Sequence, residues 1–221
     1  MTAASPAGSS AAPGDRRSAD PRFLRSLEAL LAAVTALADD EPLAGISITR
    51  VVERAGVTRP TFYQHFASVA EAAQQAALAR LSAAYPPLDP ALLDPAPADR
   101  PLTEDEIQRR IERHALPILQ HLLAHRPFYL RVLDGAGTAQ FFDELVAFLS
   151  ARLLPGAFEA AARRSGATTA DMVTIQASGI MWLVIRWLRS EAAGEAPEAM
   201  AGRLARAVTA MLLPPRPPDA A

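Results

Sequence analysis

The stretch from Ile46 to Phe66 constrains this chain more than any other, because it admits only two short helices and a tight turn. Ser47 can accept a hydrogen bond from an amide of the turn that follows, which makes it an N-cap. Ile48, Val51 and Val52 then recur at helical spacing. Gly56 stops this helix, since glycine enters the left-handed conformation without a Cβ penalty. Val57 plugs the corner, Thr58 caps a second helix, and Pro60 falls in its first turn, where a missing N–H costs little. Helices of these lengths around a glycine make a helix-turn-helix, whose second helix suits the DNA major groove. Phe62 and Phe66 are expected to pack inward.

The residues are more specific than the shape. Ala55-Gly56-Val57, then Thr58-Arg59, then Thr61-Phe62-Tyr63-Gln64-His65-Phe66 resemble the DNA-binding signature of the TetR (tetracycline repressor-like) family. That signature usually reads Ala-Gly-Val-Ser-Arg-Gly-Thr-Phe-Tyr-x-His-Phe. The similarity in residues runs from about Phe23 to Leu81; beyond that only the architecture is similar. The resemblance implies a ligand-responsive transcriptional regulator, usually a repressor, that binds a pseudo-palindromic operator as a homodimer through its last two helices. It implies no cofactor, only a small-molecule effector that moves the fourth helix and so changes the spacing of two recognition helices.

Within the recognition helix, Thr58, Arg59, Pro60, Thr61 and Gln64 lie on or near the end and face that meet base edges. Arg59 suits a bidentate contact to guanine and Gln64 one to adenine. Tyr63 and His65 match positions that in the family bind phosphate oxygens, which fix register. Thr49 and Arg50 add phosphate or base contacts from the preceding helix. Arg22 and Arg25, at the start of the first helix, stand where family members touch phosphate. Two departures weaken the match. Val69 occupies the position of a usual phosphate-holding lysine, and Pro60 replaces a glycine, stiffening the helix start.

Charge gives the DNA reading little help. The net charge is −2 and the pI about 6.1. Residues 1–85 hold eight Arg against eight Asp or Glu. Only between residues 47 and 68 do Arg50, Arg54 and Arg59 outnumber Glu53. All 22 basic residues are arginine, which reflects a GC-rich coding bias rather than a device for phosphate recognition. The chain has no cysteine, so disulfides and thiolate metal sites are excluded. It has no apolar run long enough for a membrane span and no signal-peptide core, and is expected in the cytoplasm.

The remainder reads as all-α, with an N-terminal helix-turn-helix domain and a larger C-terminal helical domain for ligand binding and dimerisation. Residues 1–20 form a polar tail in which Arg16 and Arg17 suit a minor groove. The DNA-binding domain spans 21–85, with helices expected over Pro21–Ala38, capped by Asp20, and from Ser68 to about Ala84. Six prolines in residues 86–101 exclude a regular helix, so 86–102 reads as a linker. The second domain covers 103–213 and a proline-rich tail 214–221. Its helices are expected from Thr103 to His125, interrupted or kinked at Pro117, from Pro127 to Gly135, from Thr138 to Leu153, from Thr169 to Ser190, and from Pro197 to Leu213.

His114, His121 and His125 share a helix face with Ile107, Ile111, Ile118 and Leu122. Three readings of that face stand open. His114, Ile118, His121 and His125 line a pocket for a hydrophobic ligand; or His121 and His125 ligate a metal, for which no further ligand is close in sequence; or the histidines are satisfied at the core edge. Arg186 sits in an apolar run and, if buried, needs a partner such as Asp143 or Glu144. That helix is apolar on more than one side, which fits pairing with a second copy. Two rivals to the regulator are a TetR-like protein that has lost operator binding and an all-α enzyme using the histidine face with Glu112.

Overall fold

A computed structural model describes residues 20–85, 103–153, 155–190 and 195–213. Of the tails and linker assigned above, residues 1–19, 86–102 and 214–221, with Arg16 and Arg17, lie outside the described residues. Among those described, the regular structure is helical. In chain order α1 is Pro21–Asp40, α2 Ile48–Ala55, α3 Arg59–His65, α4 Val69–Ala84 and α5 Glu104–Ala124. They are followed by α6 Arg126–Ala136, α7 Ala139–Ser150, α8 Pro155–Ser165, α9 Thr169–Arg189 and α10 Pro197–Leu212. A single 3₁₀ turn, Leu43–Gly45, separates α1 from α2.

Side-chain caps set most of the helix starts. Asp20, Ser47, Thr58, Ser68, Thr138 and Thr168 each accept an amide of the opening turn. Thr103 and Glu106 form a reciprocal capping box at α5. Each such cap contributes about 1 kcal/mol. Gly56 closes α2 at φ +66°, and the amides of Gly56 and Val57 return to carbonyls of its last turn.

Two expectations change. Helix α5 is not interrupted at Pro117, which lies on its exposed side. Helix α8 has no counterpart in the expected helices, which leave residues 154–168 unassigned. It forms because Pro155 starts it and because Phe158, Ala161 and Ala162 bury against neighbouring helices. Phe158 sits with Val208 and Leu212 of α10 in a small cluster of its own.

The main core is continuous from Leu30 to Leu204 and crosses from the first four helices into the rest. α1 packs along α4 and α2, α5 along α10, and α9 against α7 and α8. The element that joins the halves is α6, which packs on α1, α4 and the 3₁₀ turn. Fully buried Phe128 and Val132 fill that junction, each contributing roughly 1.5–3 kcal/mol through burial.

A test of the turn follows. A Cβ on Gly56 meets nothing within 4 Å, so the left-handed φ alone is at stake. Gly56→Ala is expected to cost about 1–2 kcal/mol, lowering Tm by roughly 2–8 °C. Gly56→Asn, which tolerates this conformation, is expected to lose less in the same thermal melt.

Candidate nucleic-acid interface

Helix α3 is presented by its own anchors. Phe62 is fully buried and Phe66 nearly so, and their rings lie 5.7 Å apart beneath the helix. Thr58 caps the start, its hydroxyl 2.9 Å from that of Thr61 and 3.3 Å from the Thr61 amide. With the aromatic pair turned in, Arg59, Pro60, Tyr63 and Gln64 face outward. Tyr63 is 55% exposed although its ring packs edge-on to Phe62 at 5.7 Å. That combination holds the ring in place while leaving the hydroxyl available. Arg59 makes no ion pair or side-chain hydrogen bond among the described residues, so its fork is free to take two acceptors at once.

Other residues expected at the interface are placed differently. Arg50 is exposed but held by Glu41, with Nη2 to Oε1 at 2.6 Å and a further bond to the Gly45 carbonyl. The pair lowers the Glu41 carboxyl and raises the Arg50 guanidinium, mainly through their hydrogen bond. Thr49 beside it is exposed. His65 faces α1 rather than solvent. Its Nε2 lies 2.8 Å from the Ser26 hydroxyl and its ring rests on Phe23 at 4.1 Å between centroids. The ring therefore clamps α3 to α1, and one of its nitrogens is already engaged. Arg22 and Arg25 are exposed at the start of α1, the latter bonded to the Pro21 carbonyl. Val69 is half-buried against the core, so that position is used for packing.

The histidine face of α5 is drawn into the junction between the halves. Arg80 of α4 lies 2.7 Å from His125 Nδ1, bonds Asp39 at the end of α1, and stacks over Phe128 at 4.8 Å. The sequence offered no sign of this hub, because its members are far apart along the chain. His121 Nε2 lies 2.8 Å from the buried Tyr129 hydroxyl, whose pKa burial pushes up. A guanidinium against His125 opposes cation binding there, and no group of three metal-binding side chains exists among the described residues. His114 differs: its Nε2 is buried without a hydrogen-bond partner among the described residues, with the Tyr85 ring edge-on at 5.7 Å. Ile118 is half-buried one turn on. Arg186 is exposed, and Glu144 bonds Gln75 and Gln140 instead.

Burial is the leading cause that holds His65, His114 and His121 below the usual imidazole range. The unfolded chain takes up these protons near pH 6.5, the folded chain only at lower pH. Unfolding therefore absorbs protons as pH falls through about 6.5, and stability present at neutral pH is lost toward acid. Thermal melts should fall steadily from about pH 7.5 to about pH 5. His114→Leu removes an unpaired buried nitrogen; a gain of about 1 kcal/mol at neutral pH and a shallower pH slope are the expected result.

Residues 30–71 match the family model of bacterial regulatory proteins, tetR family. No curated protein matches the chain. Among solved structures, a protein from Mesorhizobium loti MAFF303099 assigned as a TetR-family transcriptional regulator is similar at 16% identity and a TM-score of 0.41, over 87% of this chain and 97% of that one.

Proposed function

The chain belongs, by its helix-turn-helix, to the TetR family of bacterial regulatory proteins, and on that premise we propose that it is a cytoplasmic, non-enzymatic repressor that reads a pseudo-palindromic operator as a homodimer. The observation that carries this reading is the outer face of α3. There an unpaired Arg59, an exposed Gln64 and a braced Tyr63 stand on a helix whose other side is fixed by Phe62 and Phe66. Arg59 and Gln64 supply bidentate contacts to base edges. Tyr63 takes a phosphate, and Arg50 can exchange the Glu41 carboxylate for a phosphate. Thr49, Thr58, Pro60, Thr61, Arg22 and Arg25 complete the surface, while His65 acts mainly as the brace of α3.

A second copy is supported by apolar surface left uncovered. Ile175 and Trp182 of α9 are 57% and 47% exposed, and Met211 of α10 is 46% exposed. A Cβ at Gly179 meets nothing within 4 Å, so a partner helix can approach between Ile175 and Trp182. To read such an operator, the dimer must hold its recognition helices about 34–36 Å apart, or at a family variant of one helical turn. The effector reading rests on the unpaired His114 Nε2, which a polar group of a hydrophobic ligand can satisfy. Because α6 is packed on α1 and α4, a ligand that shifts either alters the spacing of the two heads.

The rival, a family member without operator binding, draws on the half-buried Val69 and on the neutral charge. Fluorescence anisotropy with the promoter DNA beside its own gene separates the two. A salt-sensitive, sequence-specific complex is expected, weakened by about 1–3 kcal/mol in Arg59→Ala. Indistinguishable binding by wild type, Arg59→Ala and Tyr63→Ala would sink the regulator reading. Val69→Lys is expected to steepen the salt slope by about 0.9 per subunit. Sedimentation should show a dimer, converted to monomer by Trp182→Glu.

A further inference from the structure

A cleft of about 550 Å³ runs between the DNA-reading helices and the body, floored by α1 and α4 and walled by α3 and α7. Its size falls within the roughly 300–1,000 Å³ of small-molecule sites. Along α4 it extends from Glu71 to Ser82, a distance of about 16 Å at 1.5 Å per residue. The two ends differ in chemistry. Toward α3, Glu71, Gln75, Gln64 and Glu144 line it, with the ring of Phe23 alongside. Toward the other end the walls are Leu31, Leu78 and Phe148.

Among the described residues no arginine or lysine lines the cleft; the nearest guanidinium is that of Arg152, behind its far end, where it bonds Ser82 and covers one face of Phe148. Glu71 accepts the Ala67 amide at 2.6 Å, and Glu144 meets only the side-chain amides of Gln75 and Gln140 at 3.4 and 3.3 Å. Neither carboxylate has a cationic partner among the described residues. His65, also in the lining, is kept neutral by burial and offers no compensating charge. Two carboxylates without a cationic partner favour a cation over an anion through charge.

We propose that this cleft binds an elongated amphiphilic cation, its ammonium head between Glu71 and Glu144 and its apolar tail along Leu31, Leu78 and Phe148. The site shares no residue with the histidine face of α5. It does share Gln64 and His65 with α3, so occupancy and DNA binding act on the same helix. That coupling rests on the DNA-binding reading; the binding itself does not.

The test is calorimetric titration of the full chain with decyltrimethylammonium and with decanoate, both below their micelle concentrations. One saturable site per chain is expected, about tenfold tighter for the cation. Glu144→Gln should cut the cation preference several-fold. Ala79→Trp, which fills the cleft from an exposed position, should abolish binding without lowering Tm. Equal affinity for the two probes, no saturable binding, or binding unchanged in both variants would overturn the proposal. In the anisotropy assay, saturating cation is expected to change operator affinity at least threefold, and an unchanged affinity overturns the coupling. If no operator complex forms at all, the regulator reading fails while the calorimetry still decides the site.

Discussion

The guanidinium laid on the C-terminus of a neighbouring helix is the contact on which this structure depends. A helix ends in carbonyls with no partner and a partial negative charge, and four arginines answer four such ends. Arg131 of α6 bonds the carbonyls of Ala38 and Asp39 at the end of α1. Arg126, at the start of α6, reaches Leu188 of α9 at 2.6 Å. Arg164 of α8 reaches Leu212 of α10 at 2.5 Å. Arg152 takes the Tyr85 carbonyl beyond α4 at 2.5 Å, the Phe148 carbonyl of α7 and the Ser82 hydroxyl, with its plane 3.4 Å from the Phe148 ring centre. Arg152 is only 6% exposed and has no carboxylate partner among the described residues, a placement that costs several kcal/mol in desolvation. Three charge-assisted bonds, each worth about 1.5–3 kcal/mol, offset that cost.

These staples explain why the DNA-reading helices and the body share one core instead of sitting as separate beads. Arg131 and Arg80 both hold the end of α1, the first through carbonyls and the second through the Asp39 carboxylate. Gln74 of α4 adds a bond of 2.6 Å to the Ala136 carbonyl closing α6. A displacement of α6 therefore pulls on α1 and α4 together. This joint ties the body to the helix-turn-helix through α6.

Much of the first four helices was readable because their determinants are local. Asp20, Ser47, Thr58 and Ser68 cap the amides within three residues of themselves, and Gly56 acts on its own φ. The inward turn of Phe62 and Phe66 follows from their four-residue spacing. The partners of His65 and Arg50 were not readable, since Ser26 and Glu41 lie 39 and 9 residues away and nothing in a helical pattern pairs them. The same distance hid the Arg80–Asp39–His125 hub. Helix α8 was missed because alanines bury as well as leucines when a neighbour comes close, and only the neighbour reveals them. Nor was it readable which arginines would reach helix ends; Arg152 uses three of its nitrogens at once, which a lysine's single ammonium does not reproduce.

The sequence by itself determined the helix-turn-helix, its caps, its glycine turn and the outward identity of Arg59, Tyr63 and Gln64, because each depends on neighbours within one or two helical turns. Only the tertiary structure decided which polar groups are free and which are spent. It turned His65 and Arg50 toward protein partners, left His114 Nε2 unpaired, exposed Arg186, and opened a cleft lined by Glu71 and Glu144. Such assignments depend on which helix ends and faces meet across the core, a property of packing that no local pattern encodes.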